Sequence, residues 1–281
     1  MIVAGRSLWQ HPPTVIIDCH VHLNQYEDLP RSDLAGRLAT LKSTMASNGV
    51  DYALVLSSYV VNEDRPSTRE LLELVGDDPT LGVVAGVSYL GYTAHDLADI
   101  RTDLRERRIK GLKLYPGYEP FYVSDARVRV IYELAAEFDV PVMIHTGDTW
   151  MQKAKLKYAH PLLIDEVAVD FPEVTFVICH LGNPWVVDAM EVIYKNDNVV
   201  ADLSGFTVRG FERRFEKYML QQVNEVVAFA GNRSRLLFGT DWPICDMGPY
   251  IDFVRHLDLS AEENEQIFWR NAARVFHLPF E

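Results

Sequence analysis

Short apolar runs, rich in β-branched residues, recur at even intervals along the chain. Each run is bounded by Gly, Pro, Asp or Asn, and nearly every position within it is apolar. This pattern is typical of parallel strands that are buried on both faces. It predicts eight strands, at residues 14–23, 52–58, 81–88, 109–115, 140–146, 175–181, 199–204 and 236–242.

The segments between these runs carry helical periodicity instead. Residues 125–138 place their apolar side chains on one stripe, and residues 162–171 and 185–194 follow the same pattern. Residues 260–276 begin with Ser260, and Glu263 follows three positions later, as in a helix capping box. Strand and helix therefore alternate along the chain, which indicates parallel strands joined by right-handed crossovers.

The strand starts are separated by roughly 32 residues on average, the length of one strand–helix unit. Eight such units close a (β/α)8 TIM barrel. An open doubly wound sheet is the alternative, but the chain lacks G-x-G-x-x-G, G-x-x-x-x-G-K-[ST] and G-x-S-x-G. We therefore expect a single barrel domain over residues 1–281, with a short lead at about 1–13.

Composition excludes several classes of function. Of the 281 residues, 48% are hydrophobic and 24% are charged, which is typical of a globular chain. The net charge of −13 argues against a nucleic-acid or anionic-membrane binder. The three cysteines do not make a disulfide framework, no apolar run reaches the ~18 residues of a membrane helix, and residues 1–13 lack a continuous signal-peptide core. A cytoplasmic location is the expectation.

Histidines and aspartates lie at the predicted strand ends, where TIM barrels carry their active sites. The side chains in question are Asp18, His20 and His22 on strand 1, His145 on strand 5, His180 on strand 6 and Asp241 on strand 8. Strict alternation points Asp18, His20 and His22 into the barrel and points the cysteines at 19 and 179 towards the helices. Each histidine alone could be a hydrogen-bonded core residue. Together, because buried polar groups are costly without partners, they favour a metal site.

The strings IDCHVHLN, MIHTG, VICHLGNPW, VVADLSG, LLFGTDWP and RNAARVF resemble the amidohydrolase superfamily. More narrowly, they are similar to its amidohydrolase-related branch, which includes aminocarboxymuconate-semialdehyde decarboxylase, resorcylate decarboxylases and small dicarboxylate lactonases. The resemblance implies one divalent metal ion, most often zinc and also manganese, with ligands at His20, His22, His145 and Asp241. It further implies that His180 contacts the substrate or the metal-bound water. Members of this branch are often homodimers.

These groups predict an acid–base mechanism for a small-molecule substrate. Asp241 would accept a proton from water and return it to the leaving group, while His180 would bond the water or polarise a carbonyl. The leading hypothesis is a metal-dependent hydrolase of a lactone, ester or amide. A non-oxidative decarboxylase of a small aromatic or muconate-like acid is the alternative, and a non-catalytic barrel is a third reading.

Lys113 on strand 4 shares inward parity with Tyr115. In binuclear members of the superfamily a strand-4 lysine is carboxylated and bridges two metals; the alternative is a buried lysine paired with Asp18 or Asp202. We favour one metal, with Lys113 either supporting the metal ligands or contacting the carboxylate of an anionic substrate.

The remaining expectations concern the surroundings of the metal. Asp18 should orient a ligand histidine from behind. Asp202 should line the pocket or pair with Lys113. Tyr115, Trp150 and Arg209 complete the candidate substrate-binding set.

Overall fold

The computed structural model describes residues 15–230 and 235–280, and within them eight parallel strands form one sheet in the order β1 to β8. Hydrogen bonds then join the two ends of this sheet. The backbone amide of Cys19 donates to the carbonyl of Phe238 at 3.0 Å, and that of His22 donates to the carbonyl of Trp242 at 2.7 Å. The predicted (β/α)8 barrel is confirmed. Its strands are β1 Ile17–Val21, β2 Tyr52–Leu56, β3 Leu81–Gly86, β4 Ile109–Leu114, β5 Val142–Ile144, β6 Phe176–Ile178, β7 Val199–Asp202 and β8 Leu236–Leu237.

Helices follow the strands and surround the barrel. They are α1 Leu34–Asn48, α2 Thr68–Val75, α3 Ala94–Arg105, α4 Arg129–Phe138, α5 Leu163–Asp170, α6 Val186–Lys195, α7 Arg213–Ala230, α8 Met247–Arg255, α9 Ala261–Glu265 and α10 Asn271–Val275. The predicted capping box is present, because Ser260 and Glu263 satisfy each other's backbone amides at the start of α9. Among the described residues, no helix is long and apolar enough to cross a membrane. The expected lead at residues 1–13, and residue 14 of the first predicted strand, lie outside the described residues.

Two apolar clusters stabilise the barrel, one between the strands and the helices and one inside the ring of strands. Cys19 and Cys179 both belong to the inner cluster, so the prediction that they point towards the helices is wrong. In β1 the register passes from Asp18 opposite Ala53 to Val21 opposite Val55, which inserts an extra residue and breaks the alternation. Cys179 follows β6 directly and shares the inner cluster with Val177, so alternation holds as far as Cys179; the departure comes at His180, whose φ is 62°.

Each observed strand lies within its predicted segment but ends one to five residues earlier. β5 stops at Ile144 and β6 at Ile178, so His145 and His180 sit on the irregular chain that follows. The barrel thus places its polar side chains just above the apolar interior, at the carboxyl ends of the strands.

Candidate metal and acid–base site

Three ligand atoms converge at the top of β1 and β8. The Nε2 atom of His22 lies 3.4 Å from Oδ1 of Asp241, and that of His20 lies 3.9 Å from the same oxygen. All three atoms are within 4.8 Å of one another. Asp241 reaches this position with a φ of 68°, and its amide donates to the carbonyl of His20 at 2.8 Å. A non-glycine residue in this strained conformation is held by its surroundings, as is common at functional sites.

The tautomers of His20 and His22 are set by the hydrogen bond that each ring makes at Nδ1. His20 donates from Nδ1 to Asp202 at 2.9 Å, and His22 donates from Nδ1 to the carbonyl of Leu56 at 2.9 Å. Burial lowers the pKa of both imidazoles, so that they are neutral. Because each neutral ring carries its proton on Nδ1, each Nε2 presents a lone pair to the shared point.

This donor set fits a divalent cation. Two neutral imidazole nitrogens and one carboxylate oxygen are ligands of zinc, and manganese also accepts them. Burial raises the pKa of Asp241 well above its usual range, and no lysine or arginine nitrogen lies within 4.0 Å of its carboxylate in the described ranges. A buried carboxylate without such a partner is costly, and a cation held by these three atoms would relieve that cost.

His145 and His180 form a second, adjacent unit. Nδ1 of His145 lies 3.2 Å from Nε2 of His180, whose Nδ1 faces the carbonyl of Ser204 at 3.2 Å. At the other end, Nε2 of His145 faces the carbonyl of Asp148 at 3.1 Å. These three contacts require three protons, whereas two neutral imidazoles carry two. Burial lowers the pKa of His145 well below its usual range and that of His180 to about 3, so the pair is neutral. One nitrogen therefore keeps a free lone pair that can accept a proton or a cation.

The structure does not bring His145 into the group formed by His20, His22 and Asp241. It places His145 against His180 instead, with ring centroids 5.0 Å apart. A role for His145 as a metal ligand remains a prediction, and its unprotonated nitrogen is compatible with that role.

A glycine that the sequence analysis missed makes room for this arrangement. Gly205 has a φ of +67°, and a Cβ atom there would lie 2.4 Å from Nδ1 of His180 and 3.1 Å from Oδ2 of Asp241. Any other residue would displace one of the two groups. The tripeptide Ser204-Gly205-Phe206 after β7 is the sequence feature that could have revealed it.

The two buried aspartates have roles different from those expected. Asp202, not Asp18, bonds the ring of His20, and its carboxylate also accepts from the backbone amides of His180 at 2.9 Å and Ser204 at 3.1 Å. Burial alone would raise the pKa of Asp202, but His20 holds it far below its usual range, so the group is ionised. Asp18 accepts from the amide and hydroxyl of Thr240 at 3.0 and 2.6 Å, which supports the chain leading to Asp241. Burial raises the pKa of Asp18 to about 7.

Lys113 lies beneath these groups and is only 1% exposed. Its ammonium donates to the Sγ atom of Cys179 at 2.7 Å, and neither Asp18 nor Asp202 is within ion-pair distance. The expected lysine–aspartate pair is therefore not formed. Burial raises the pKa of the Cys179 thiol even though the lysine opposes this shift.

The other predicted substrate-binding residues fall at different depths. Tyr115 is buried, and its hydroxyl donates to the carbonyl of Ser57 at 2.5 Å. Trp150 is 74% exposed and lies at the rim, where its amide donates to the hydroxyl of Tyr118. Arg209 is engaged elsewhere, because its guanidinium pairs with a carboxylate of the first strand–helix loop, Asp28, at 2.6 Å.

The sequence profile of the amidohydrolase family matches residues 17–278. The chain belongs to this family. The chain is also similar to L-fucono-1,5-lactonase from Burkholderia multivorans, with 24% identity and coverage of 76% of this chain and 78% of that protein. Solved amidohydrolase-type barrels share the fold. One is a putative 2-pyrone-4,6-dicarboxylic acid hydrolase from Pseudomonas putida, with a TM-score of 0.69, 18% identity and coverage of 95% and 99%. Another is a dihydroxybenzoic acid decarboxylase from Polaromonas, bound to manganese and the inhibitor 2-nitroresorcinol, with a TM-score of 0.69, 16% identity and coverage of 95% and 98%.

Proposed function

We propose that this amidohydrolase is a metal-dependent lactonase that opens a small cyclic ester by attack of water. The observation that carries the proposal is the convergence of His20 Nε2, His22 Nε2 and Asp241 Oδ1 beside a neutral histidine pair. The relative named L-fucono-1,5-lactonase, which is 24% identical, supports lactone hydrolysis as the reaction. The same groups would also serve an ester or an amide.

Three residues would hold the cation, and one of them, Asp241, would also transfer the proton. His20, His22 and Asp241 would hold the cation, zinc or manganese, which when bound supplies Lewis-acid polarisation of the carbonyl and of the attacking water. Asp241 accepts a proton from the water at a carboxylate oxygen and delivers it to the ring oxygen as the lactone opens. The carboxylate can serve as both ligand and base because it has two oxygens, and only Oδ1 faces the two imidazoles.

His180 contributes from the opposite side of the site. Its Nδ1 donates to the carbonyl and is 2.9 Å from the hydroxyl oxygen of Ser204, which fixes the ring, and its Nε2 faces His145. The pair can accept a hydrogen bond from a substrate hydroxyl, because three contacts are served by two protons. His180 thus positions the substrate carbonyl or the water without belonging to the cation-binding group.

Non-oxidative decarboxylation is the second candidate. Tyr59, Tyr115 and Tyr118 form an aromatic surface next to His145, with ring-centroid distances of 5.1 Å from Tyr59 to Tyr115, 5.9 Å from Tyr59 to Tyr118 and 4.7 Å from Tyr118 to His145. We call these three tyrosines the tyrosine wall. A flat aromatic acid would pack against such a surface, and the decarboxylase with bound nitroresorcinol has the same fold.

One assay separates the two reactions. Protein stripped with a chelator and reloaded with zinc or manganese should release protons from aldono-1,5-lactones or pyrone dicarboxylates, in a weakly buffered indicator assay. Release of carbon dioxide from dihydroxybenzoates, without lactone hydrolysis, would replace the lactonase by the decarboxylase. Absence of both, with no gain in thermal stability on adding either metal, would favour the non-catalytic barrel.

Two variants test the assigned roles. Asp241→Asn should lower both metal content and kcat. His180→Asn should keep the metal content of the wild type while lowering kcat by about 100-fold or more, as loss of a general acid–base group does. Loss of stoichiometric metal from His180→Asn would instead place His180 among the ligands.

A further inference from the structure

The loop between β2 and α2, residues 57–67, carries an arginine that the sequence analysis did not single out. The loop begins where β2 ends, at the strand whose Leu56 carbonyl fixes the His22 tautomer. Arg65 is half-buried within it. A backbone bridge from Asn62 to Arg65, with both hydrogen bonds formed at 3.1 and 3.0 Å, sets the shape of this segment.

The two acidic residues that precede Arg65 are occupied by other arginines. Arg31 pairs with Glu63 at 3.3 Å and with Asp64 at 3.1 Å. The guanidinium of Arg37, on α1, donates to the backbone carbonyls of Asp64 at 3.0 Å and Glu63 at 3.3 Å. These contacts hold the loop in place, and both carboxylates pair with Arg31 rather than with Arg65.

The guanidinium of Arg65 is therefore left with most of its donors unused. It donates to the hydroxyl of Ser58 at 3.2 Å. No carboxylate lies within 4.0 Å of it among residues 15–230 and 235–280. A half-buried guanidinium with a free fork is the side chain best suited to bind a carboxylate through two parallel hydrogen bonds.

The Arg65 charge acts on the site itself. Burial raises the pKa of Tyr26 and of Tyr115, and Arg65 opposes the rise at both hydroxyls. The same two hydroxyls are also within electrostatic reach of Asp241, and His22 senses the arginine as well. The contacts place it there too: its partner Ser58 lies between Ser57, whose carbonyl accepts from the hydroxyl of Tyr115, and Tyr59 of the tyrosine wall, so Arg65 lies beside that wall.

The two cations expected to bind an anionic substrate are less suitable. Lys113 is 1% exposed and bonded to Cys179 beneath the site. Arg209 already holds the carboxylate of Asp28. Of the three, Arg65 alone combines partial exposure with the absence of a carboxylate partner.

We propose that Arg65 is the specificity-determining residue that binds a carboxylate carried by the substrate. The substrate class is then a planar lactone acid, whose ring lies against the tyrosine wall and whose ester bond faces Asp241. The inference rests on the lactonase function proposed above for the reaction, but the anion-binding role of Arg65 stands on its own contacts. Arg65 holds the carboxylate that remains on the product and takes no part in the bond cleavage.

The test compares a carboxylated lactone, 2-pyrone-4,6-dicarboxylate, with the neutral δ-valerolactone. In Arg65→Met, the ratio of kcat/KM for the carboxylated over the neutral lactone should fall by about 10- to 100-fold, the effect of losing a charge-assisted carboxylate contact. Arg65→Lys should retain part of the preference. Arg69→Met removes a cation four residues further along the chain that is exposed on α2 and paired with Asp99, and it should leave the ratio unchanged. An unchanged ratio in Arg65→Met would overturn the proposal.

A binding measurement separates this inference from the proposed function. Benzoate and the neutral benzyl alcohol are titrated into metal-free wild type, Arg65→Met and Arg65→Lys, with folding checked by circular dichroism. Benzoate should bind the wild type at least tenfold more tightly than Arg65→Met does, while benzyl alcohol shows no such difference. If that holds and no lactone is hydrolysed, the lactonase proposal fails and the anion site stands. If lactones are hydrolysed but benzoate binds both proteins equally, the role of Arg65 fails and the lactonase stands. Should Arg65→Met not fold, weaker benzoate binding by Arg65→Lys supports the role, and unchanged binding refutes it.

Discussion

Replacing Asp202 by asparagine tests how the tautomer of His20 is set for binding the proposed cation. One carboxylate oxygen accepts from Nδ1 of His20 at 2.9 Å. The other accepts from the amides of His180 and Ser204, at 2.9 and 3.1 Å, and from the Ser204 hydroxyl at 2.5 Å. An asparagine must put its NH2 group, which donates only, at one of these two positions.

Each orientation has a distinct cost. If the NH2 group faces His20, the ring has to accept at Nδ1 and carry its proton on Nε2, the nitrogen directed at Asp241. The cation then loses one lone pair, and loss of such supporting contacts costs about 10- to 100-fold in metal affinity, roughly 1.4 to 2.8 kcal/mol. If the NH2 group faces the amides of His180 and Ser204, two buried donors lose their acceptor at about 1–3 kcal/mol each. The first orientation is therefore the cheaper one.

We expect Asp202→Asn to fold and to bind zinc or manganese about 10- to 100-fold more weakly. Affinity is measured by competition with a chelating dye, and the His20 tautomer by ¹⁵N–¹H correlation of the imidazole. Asp165→Asn is the matched control, because this partly exposed carboxylate also accepts from two side chains, Lys195 and Asn196, but lies away from the site. Wild-type metal affinity together with an unchanged free energy of unfolding in Asp202→Asn would refute the reasoning.

Two further predictions follow from other parts of the structure. Gly205→Ala places a methyl group 2.4 Å from Nδ1 of His180 at a φ of +67°, so it should lower stability by about 1–3 kcal/mol and kcat by at least tenfold. In thermal melts and steady-state assays Gly210→Ala, whose nearest neighbour would be 3.6 Å away, should do neither; equal effects would contradict the crowding argument. Asp78 accepts from Lys42 at 2.6 Å, which lowers its pKa from 3.8 to about 2. Because a depressed carboxyl pKa stabilises the fold above the unfolded value, this contribution, about 1 kcal/mol after allowance for solvent screening, should be present at pH 5 and vanish as the pH falls through 2. The gap in urea stability between wild type and Asp78→Asn should close over that window; a constant gap would contradict it.

The fold was predictable because barrel strands are buried on both faces. Their sequences are nearly continuous in apolar residues, and the even spacing between them reflects a repeated strand–helix unit. The strand ends were less predictable. The segments predicted for β5 and β6 include His145 and His180, but in the structure the two strands stop earlier, at Ile144 and Ile178. The apolar pattern alone does not show where a strand stops hydrogen-bonding to its neighbours in the sheet.

The directions of Cys19 and Cys179 were missed because the sequence does not show where alternation breaks. The two cysteines share the inner cluster with Ile17 and Val177, two residues earlier in each case. The extra residue in β1 and the positive φ of His180 bring the histidines to the same side. The inward direction of Cys179 gives Lys113 a sulfur partner in place of the expected carboxylate. A bulge or a turn depends on contacts between distant strands, so a single-strand rule does not contain it.

The role proposed for Arg65 could not be predicted from the sequence for a different reason. In the sequence it follows Glu63 and Asp64, which looks like a local cluster of compensating charges. In the structure both acids pair with Arg31, some 30 residues earlier, and Arg65 has no carboxylate partner among the described residues. The histidines and aspartates of the barrel thus carry the proposed reaction. The loop of residues 57–67, which Arg31 and Arg37 hold in place, presents the arginine proposed to select the substrate. Exchanging residues 57–67 should accordingly alter substrate preference far more than metal affinity, provided that the contacts of Arg31 and Arg37 are kept.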